Sequence, residues 1–553
     1  MKKIQYVKLV GLLTILLFLN ISCKDDDTLL RGSGITEQSW STNQTYFASA
    51  EQTLTFTFTT LSSWTAQNSS TALLSLDNTA GNSGENTIKV TVHKSSQEQG
   101  TITIKVNGYS SASNIKIQLS DDDVQGYEIN YSVDQYLREK YLWNDDYKLL
   151  TPNFRQAYDE FLRNTLLSMT TNTLDKKRNS NGTYSLFSFI QKLDPDLQTS
   201  RSAKEKKTLE YNYGFVNFIA VGNRNNSNYG LVIQGVHKGS SADKEGLKRG
   251  MEITEIDNQR ITTTNVQACY SKLIKPSSPT SIKVKDKDGK VYTINSGPIY
   301  ANPIIHHQVN EKIGYLVYSA FESGFDQDVF KEFKSQNITE LILDLRYNGG
   351  GDVTSANLIS SCIAGDLCID KTFASYRYND ERMKVLGNQR PIQKFAYSQY
   401  DNLSTSAGGL NLRKIYCLVT DDSASASELV INALRGIDIE VILIGTTTHG
   451  KNVGMEGVEL TAGTDKYLLF PITFQAYNAK GFTPDYEINE NKPNGEYFEG
   501  YGDFGAESDP LYAKAISLIS GNEVTTPTRA VNQAKEQMLV IATPRLNRIG
   551  MIK

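Results

Sequence analysis

The chain predicts a multidomain protein in which a small β-sandwich, a helical segment, a second β-rich domain and an α/β domain follow one another. Three observations carry that expectation. At 553 residues the chain is longer than one hydrophobic core can organise, so three or four domains are expected. Its apolar pattern changes along the way, from alternation, to spacings of three and four, to alternation again, and finally to continuous apolar runs between amphipathic stretches. The composition, 39% hydrophobic and 21% charged, is that of a folded chain throughout. A formal net charge of −4, without a long basic run, argues against nucleic acid as a partner, because that work needs concentrated cationic surface.

The first segment reads as an export signal. Lys2 and Lys3 precede an apolar run over about 9–19, short for a membrane span and suited to a signal core. Ser22 then precedes Cys23, and this resembles a bacterial lipoprotein lipobox, with Asn20 where leucine is usual and Leu19 one residue further back. The resemblance implies a signal peptide over 1–22, a lipid on Cys23 that binds the membrane, and an anchor linker over 23–35. An uncleaved anchor is the alternative. "KDDD" at 24–27 resembles the acidic export tag of Bacteroidetes-type lipoproteins, which implies a cell-envelope protein on the outer membrane, surface-exposed, with a periplasm-facing arrangement as the alternative. The other cysteines, Cys269, Cys362, Cys368 and Cys417, are too scattered for a disulfide framework or a paired-ligand zinc site. A Cys362–Cys368 bridge stays open, with free thiols favoured, and Cys417 is expected to be packed in a strand.

Residues 36–120 alternate with period two in "TLTFTFTT", "TIKVTVHK", "TITIKVNG" and "NIKIQLS", separated by turn residues, and so predict the β-sandwich. The pattern resembles a BACON domain, an immunoglobulin-like module, with Trp64 as its core tryptophan. That resemblance implies glycan or mucin binding, against which stands the plainer role of a spacer, the favoured one because fold alone does not license a ligand. After "DDD" at 121–123, residues 124–205 place aromatics and leucines at helical spacing in "YSVDQYLREKYLWNDDYKLL" and "NFRQAYDEFLRNTLLSM". Such a stripe is expected to be core.

Residues 208–298 return to strands. "YNYGFVNFIAV" followed by "GLVIQGVHKGSSADKEGLKRGMEITEIDNQRI", with a helix expected over "SADKEGLKRG", resembles a PDZ domain. The resemblance implies that the loop at Tyr213, Gly214 and Phe215 receives a peptide's terminal carboxylate while the adjacent edge strand accepts the peptide. Docking against a neighbouring domain is the alternative. From 301 to 521, "KIGYLVYSA", "ELILDLR", "KIYCLVT" and "IEVILIG" alternate with amphipathic stretches, so α/β layers are expected. Residues 522–553 read as an irregular tail.

The chemistry concentrates at "SASASE" (423–428), between an apolar strand and a helix start. A nucleophilic serine needs a base, oxyanion donors and a rigid mount, and a helix N-terminus offers unpaired N–H groups and a positive dipole end. None of the five histidines stands in a triad motif. A lysine can act as base if its ammonium is disfavoured by burial, at about 3 to 5 kcal/mol for a pKa brought to neutrality. "GTTTHGKNVG" (445–454) offers Lys451 an uncharged, small-residue setting.

"SASASE" followed by "THGK" resembles the C-terminal processing, or tail-specific, peptidases, serine enzymes with a Ser/Lys dyad on a crotonase/ClpP-like α/β core. "LILDLRYNGGGDV" (341–353) and "GFTPDYEI" (481–488) extend the match to about 125–520, with one extra residue near 436–440. The resemblance implies Ser425 as nucleophile, Lys451 as general base, the N–H groups of Ala426 and of Gly349 or Gly350 as oxyanion donors, polypeptides with exposed C-termini as substrates, and no metal or cofactor. Ser423 and Ser427 are expected to be structural, Arg346 and Asn348 to shape the glycine loop, and Glu428 to serve the helix start. Some members place a glutamine where this chain has Met455, so another group, such as Thr448, has to orient Lys451. Two rivals remain: a catalytically idle surface lipoprotein that binds peptides or glycans, and an acyl-CoA enzyme of the crotonase type.

Overall fold

The computed structural model describes residues 32–42, 45–120, 127–178, 182–193, 208–222, 228–274, 276, 278–300, 302–322, 328–396, 409–482, 502–521, 539–542 and 551–552. Residues 1–22, read above as a signal peptide, together with Cys23 and residues 483–488, lie outside the described residues. The chain falls into two compact units, Met1–Glu128 and Ile129–Lys553.

In the first unit two sheets enclose one core. Ile35–Gln38, Thr53–Thr60, Gly84–Val92 and Leu74–Leu76 form one sheet, and Thr45–Ser49, Ala112–Ser120, Gln99–Val106, Trp64–Asn68 and Ala80–Gly81 the other. Alternation does the work: Phe56 and Phe58 point inward while Thr55 and Thr57 face solvent. The Phe58 and Trp64 rings meet edge to face at 4.9 Å. Trp64 is buried as expected, and a side chain at Gly81 would come within 2.6 Å of its ring nitrogen, so the glycine makes room for the indole.

In the second unit, the helices Tyr127–Lys140 and Tyr158–Ser168 turn Val133, Leu137, Phe161 and Leu166 into a cluster that also holds Val453, Met455, Leu469 and Ile472. The helical stripe is core, and the core it joins belongs to the strands that follow Lys451. Next comes a sheet built around β1 (Phe215–Gly222) and β2 (Tyr229–Val236), in the order Val291–Asn295, Ser281–Asp286, Glu252–Ile256, β2, β1. Phe218, Leu231, Ile253 and Val284 fill its core. The helix expected over "SADKEGLKRG" is a single turn, Ser241–Lys244. Ser240 caps it by accepting the Asp243 N–H at 3.1 Å, and Gly246, at φ +86°, ends it early.

The α/β domain centres on a five-stranded sheet in the order Ile304–Asn310, Ile313–Tyr318, β3 (Glu340–Asp344), β4 (Lys414–Val419) and β5 (Glu440–Gly445), all parallel except the first. Helices α1 (Val353–Ala364) and α2 (Ala426–Gly436) pack with Leu343, Ile415, Cys417 and Val419, while helix Pro510–Ser520 packs with Ile342, Tyr416, Leu418 and Ile444. Alternate residues thus serve opposite faces, which is why these strands read as unbroken apolar runs. Cys417 sits in that core, where burial pushes its thiol up to about 12, and all four cysteines from 269 to 417 are free and buried. No Cys362–Cys368 bridge forms.

Among the other strands of the unit are β6 (Val453–Met455), β7 (Leu539–Ala542) and β8 (Met551–Ile552). The tail is therefore not irregular throughout. β7 pairs antiparallel with β1, and β8 pairs parallel with β6.

Candidate active site

β4 ends at Val419, and a tight connection carries the chain into α2. Ser423 and Ser427 are consumed in building that connection. The Ser423 hydroxyl donates to the Leu345 carbonyl at 2.7 Å and accepts the Thr420 N–H at 2.9 Å. The Ser427 hydroxyl donates to the Asn348 carbonyl at 2.8 Å. Both are scaffold, as the sequence suggested, and both tie the helix start to the loop that follows β3.

Ser425 stands immediately before α2, fully buried, with φ +61° and ψ −108°. That conformation lies outside the left-handed turn region and costs a side-chain-bearing residue roughly 1–3 kcal/mol. The surroundings hold it there, because the Ser425 N–H donates to Glu428 Oε2 at 2.8 Å. The glycine loop presses against it from the other side. A side chain at Gly350 would meet Ser425 Cβ at 2.8 Å and the Ala426 nitrogen at 3.1 Å, so only glycine admits this approach. Asn348 organises the loop by accepting the Gly350 N–H at 2.9 Å and donating its amide to the Tyr318 carbonyl at 3.0 Å. In this structure the Gly350 N–H is thus directed at Asn348.

Arg346 anchors the same loop from beneath. Fully buried, it pairs with Asp344 and Asp509 at 2.8 Å each, and the two carboxylates hold its guanidinium well above its ordinary pKa against the pull of burial. Beside it, Arg249 from the β-rich domain donates to the Tyr347 hydroxyl at 2.5 Å and to the Gln234 carbonyl at 2.9 Å.

Lys451 is buried in the connection between β5 and β6. Glu428 brings it to Ser425: the Lys451 N–H donates to Glu428 Oε2 at 2.9 Å, and the Gly450 N–H and Thr448 hydroxyl donate to Oε1 at 2.7 Å each. Two nitrogens sharing one carboxylate oxygen lie within about 6 Å of each other, twice a hydrogen-bond length. Burial raises the Glu428 carboxyl above the ordinary range, and these four donors oppose that rise. Glu428 does serve the helix start, as expected, but it also joins the serine segment to the lysine segment. Thr448 is bonded to this carboxylate, whereas the lysine amine lies 4.7 Å from the centre of the Phe187 ring.

Phe187 comes from the segment after the helices, 264 residues earlier in a region without catalytic motifs, and it is held there by Asp175. The Phe187 N–H donates to the Asp175 carbonyl at 2.8 Å, and the Asp175 carboxylate accepts the Tyr141 hydroxyl at 2.6 Å, the Ser188 N–H at 2.8 Å and the Ser188 hydroxyl at 2.7 Å. Burial raises the Asp175 pKa, opposed by these bonds and by the charge of Lys451. Lys177 pins the same segment to Asp421 at 2.5 Å and to the His449 ring at 3.1 Å. Met455 is fully buried and apolar-packed, so nothing polar reaches Lys451 from the position of the family glutamine.

In the β-rich domain, Tyr213 is a core residue whose carbonyl accepts the Ala242 N–H at 2.9 Å. The Gly214 N–H donates to Asn212 Oδ1 at 2.6 Å, and Phe215 opens β1 opposite Val236. The three residues therefore sit at the mouth of β1.

Comparison with known proteins agrees with this architecture. Residues 312–488 match the family model "Peptidase family S41", and residues 207–285 match the "PDZ domain" model. The chain is 27% identical over 255 residues to carboxyl-terminal-processing peptidase 3, chloroplastic, of Arabidopsis thaliana, a match covering 42% of this chain and 45% of that protein, less than half its length. A solved structure assigned to the S41 proteases of Bacteroides fragilis aligns with a TM-score of 0.51 at 26% identity, covering 70% of this chain and 97% of the other. The strained serine at the helix start, the glycine loop against it and the buried lysine thus all lie within the residues that match Peptidase family S41, and those residues follow a stretch that matches the PDZ domain model.

Proposed function

We propose that the protein is a serine endopeptidase in which Ser425 and Lys451 form the catalytic dyad. Ser425 Oγ attacks the scissile carbonyl carbon and passes its proton to the Lys451 amine. The N–H groups of Ala426 and of the Gly349–Gly350 loop receive the oxyanion, with Gly350 exchanging Asn348 for it or leaving the role to Gly349. The ammonium then protonates the leaving amine, and water, deprotonated by the same amine, releases the acyl group and restores the serine. Burial of Lys451 supplies the setting in which an amine can act as base. The observation that carries the reading is the single Glu428 carboxylate that receives the N–H groups of both Ser425 and Lys451.

Substrates are polypeptides with exposed C-termini, brought by the PDZ domain through the mouth of β1 at Tyr213, Gly214 and Phe215. The sandwich is read as a BACON-like spacer, with glycan binding as its second reading, on a lipoprotein anchored through Cys23 at the outer membrane. The test is to incubate wild type and Ser425→Ala with a denatured-protein mixture across a pH series and identify the cut sites by mass spectrometry. Hydrolysis by wild type that rises toward alkaline pH and vanishes in the variant is the expected result. Equal cleavage by both, or by neither, overturns the dyad.

A further inference from the structure

β1 is the last strand that the PDZ segment itself contributes to its sheet, and it is the strand that leaves the Tyr213–Gly214 mouth. Its inner side pairs with β2, from Phe215 opposite Val236 to Gly222 opposite Tyr229. Its outer side carries a strand from the far end of the same chain. β7 pairs Ala542 with Ala220, Val540 with Val221 and Leu539 with Gly222, antiparallel, with a register shift between Ala220 and Val221. β1 is apolar on both faces: Phe218 and Ala220 enter the PDZ core, while Ile219 and Val221 form a separate buried cluster with Val232. Such a strand suits a central place in a sheet better than an open edge.

The same tail also pairs with the strand that follows the lysine. β8 pairs Met551 with Gly454 and Ile552 with Met455, in parallel, along β6, which begins two residues after Lys451. Two segments of one tail therefore pair with β1 and with β6.

We propose that the outer edge of β1 is a polypeptide-docking surface whose resident occupant is the chain's own segment 539–542, Leu-Val-Ile-Ala, and that a client polypeptide is admitted by displacing it. Main-chain pairing supplies the affinity, and the resident sequence identifies the client as a short apolar, β-branched-rich segment free to become a strand. The proposal rests on the PDZ reading above, and makes the tail a competitor for the site of its own substrate. A ligand tethered in the same chain acts at an effective concentration on the order of 1 mM, so a peptide that binds the open edge at roughly 10 µM is weakened about 100-fold while β7 is in place.

The experiment keeps binding apart from hydrolysis by using Ser425→Ala throughout. A fluorescent peptide spanning residues 536–545 is titrated, by anisotropy, into the full chain, into the full chain carrying Val540→Pro, which disrupts strand pairing, and into a chain ending at Gly521, where the helix Pro510–Ser520 closes on a left-handed glycine. Binding at least ten-fold tighter to both altered chains is expected. Equal affinity for all three, or binding to none, overturns the proposal. The full chain and its Val540→Pro variant, with Ser425 restored, are then compared on an unfolded protein: KM should fall with β7 released while kcat stays constant. A peptide that binds as expected beside a protein that hydrolyses nothing would sink the peptidase reading and leave the tail assignment standing.

Discussion

The sandwich and the second unit both bury their apolar residues thoroughly, and they part company over charge. Among the described residues, the sandwich buries polar groups only in uncharged form, at Thr60, Ser70, Ser113 and Gln118. The second unit buries Asp134, Asp175, Arg249, Asp286, Asp344, Arg346, Glu428, Lys451 and Asp509. Each buried ion costs several kcal/mol of desolvation, tolerable only where partners converge on it. In this molecule Asp175, Asp344, Arg346, Glu428, Lys451 and Asp509 gather around the glycine loop, the serine turn and the lysine segment, while Asp134 pairs with Arg138 and Asp286 accepts the Tyr292 hydroxyl elsewhere in the unit. The comparison teaches that apolar area holds both units together, while the buried ions mark where one of them holds groups in place for chemistry.

The sharpest way to break that contrast is one substitution in each unit. Ser425→Ala removes an atom from a site whose scaffold is carried by Ser423, Ser427 and Glu428, so it should lower kcat by roughly 10⁴-fold or more and leave thermal unfolding nearly unchanged. Trp64→Ala should do the reverse. Emptying the indole site between Phe58 and Gly81 should cost the sandwich about 3 to 5 kcal/mol in a denaturant titration, with hydrolysis unaltered because the two units are separately compact. A loss of activity from the tryptophan change, without loss of the whole chain, would mean that the sandwich does more than fold.

Glu428→Gln tests the polar side of the comparison at smaller cost. A carboxylate accepts from four donors here, and an amide offers one acceptor oxygen and turns N–H groups toward the rest. Ser425 and Lys451 would lose their common anchor. We expect kcat/KM to fall on the order of 10²-fold, with a modest drop in melting temperature, and the loss to appear in kcat rather than in KM. A rise in KM alone would reassign Glu428 to substrate binding.

Much of this was legible in the sequence because it is local. The alternation at 53–60 and the continuous runs of β3, β4 and β5 report burial directly, and "SASASE", "NGGG" and "THGK" are compact enough to read in order. Ser423 and Ser427 could be set aside as structural because helix starts need hydroxyls whatever else they do. What surrounds Lys451 was not legible. Phe187 and Asp175 reach it across more than 260 residues, and a phenylalanine or an aspartate in a helical region carries no periodic mark of such a role. The segment 522–553 was read as irregular because its strands are short and far from their partners. β-strand pairing at that separation is set by the edge that receives the strand, which no window of sequence contains. The "SADKEGLKRG" helix failed for a nearer reason, since Gly246 takes a positive φ that ends it.

The smallest expected effect concerns Asp175. Burial raises its pKa above the ordinary carboxylate range despite the bonds from Tyr141 and Ser188. A carboxyl whose folded pKa lies above its unfolded value contributes stability that is complete below the unfolded pKa and is lost as pH rises through the folded one. Between about pH 4, the unfolded value, and the raised folded pKa, this residue therefore favours folding on acidification, opposite in sign to a salt-bridged aspartate. Asp175→Asn should flatten that part of the melting-temperature profile. It also removes the negative charge that acts on Lys451, so the alkaline rise in hydrolysis should move to lower pH. If the melting profile flattens and the activity profile does not move, Asp175 holds the Phe187 segment and nothing more. If both move, the carboxylate also sets the proton affinity of the base, and a charge buried beneath the Phe187 segment is part of how the site is tuned.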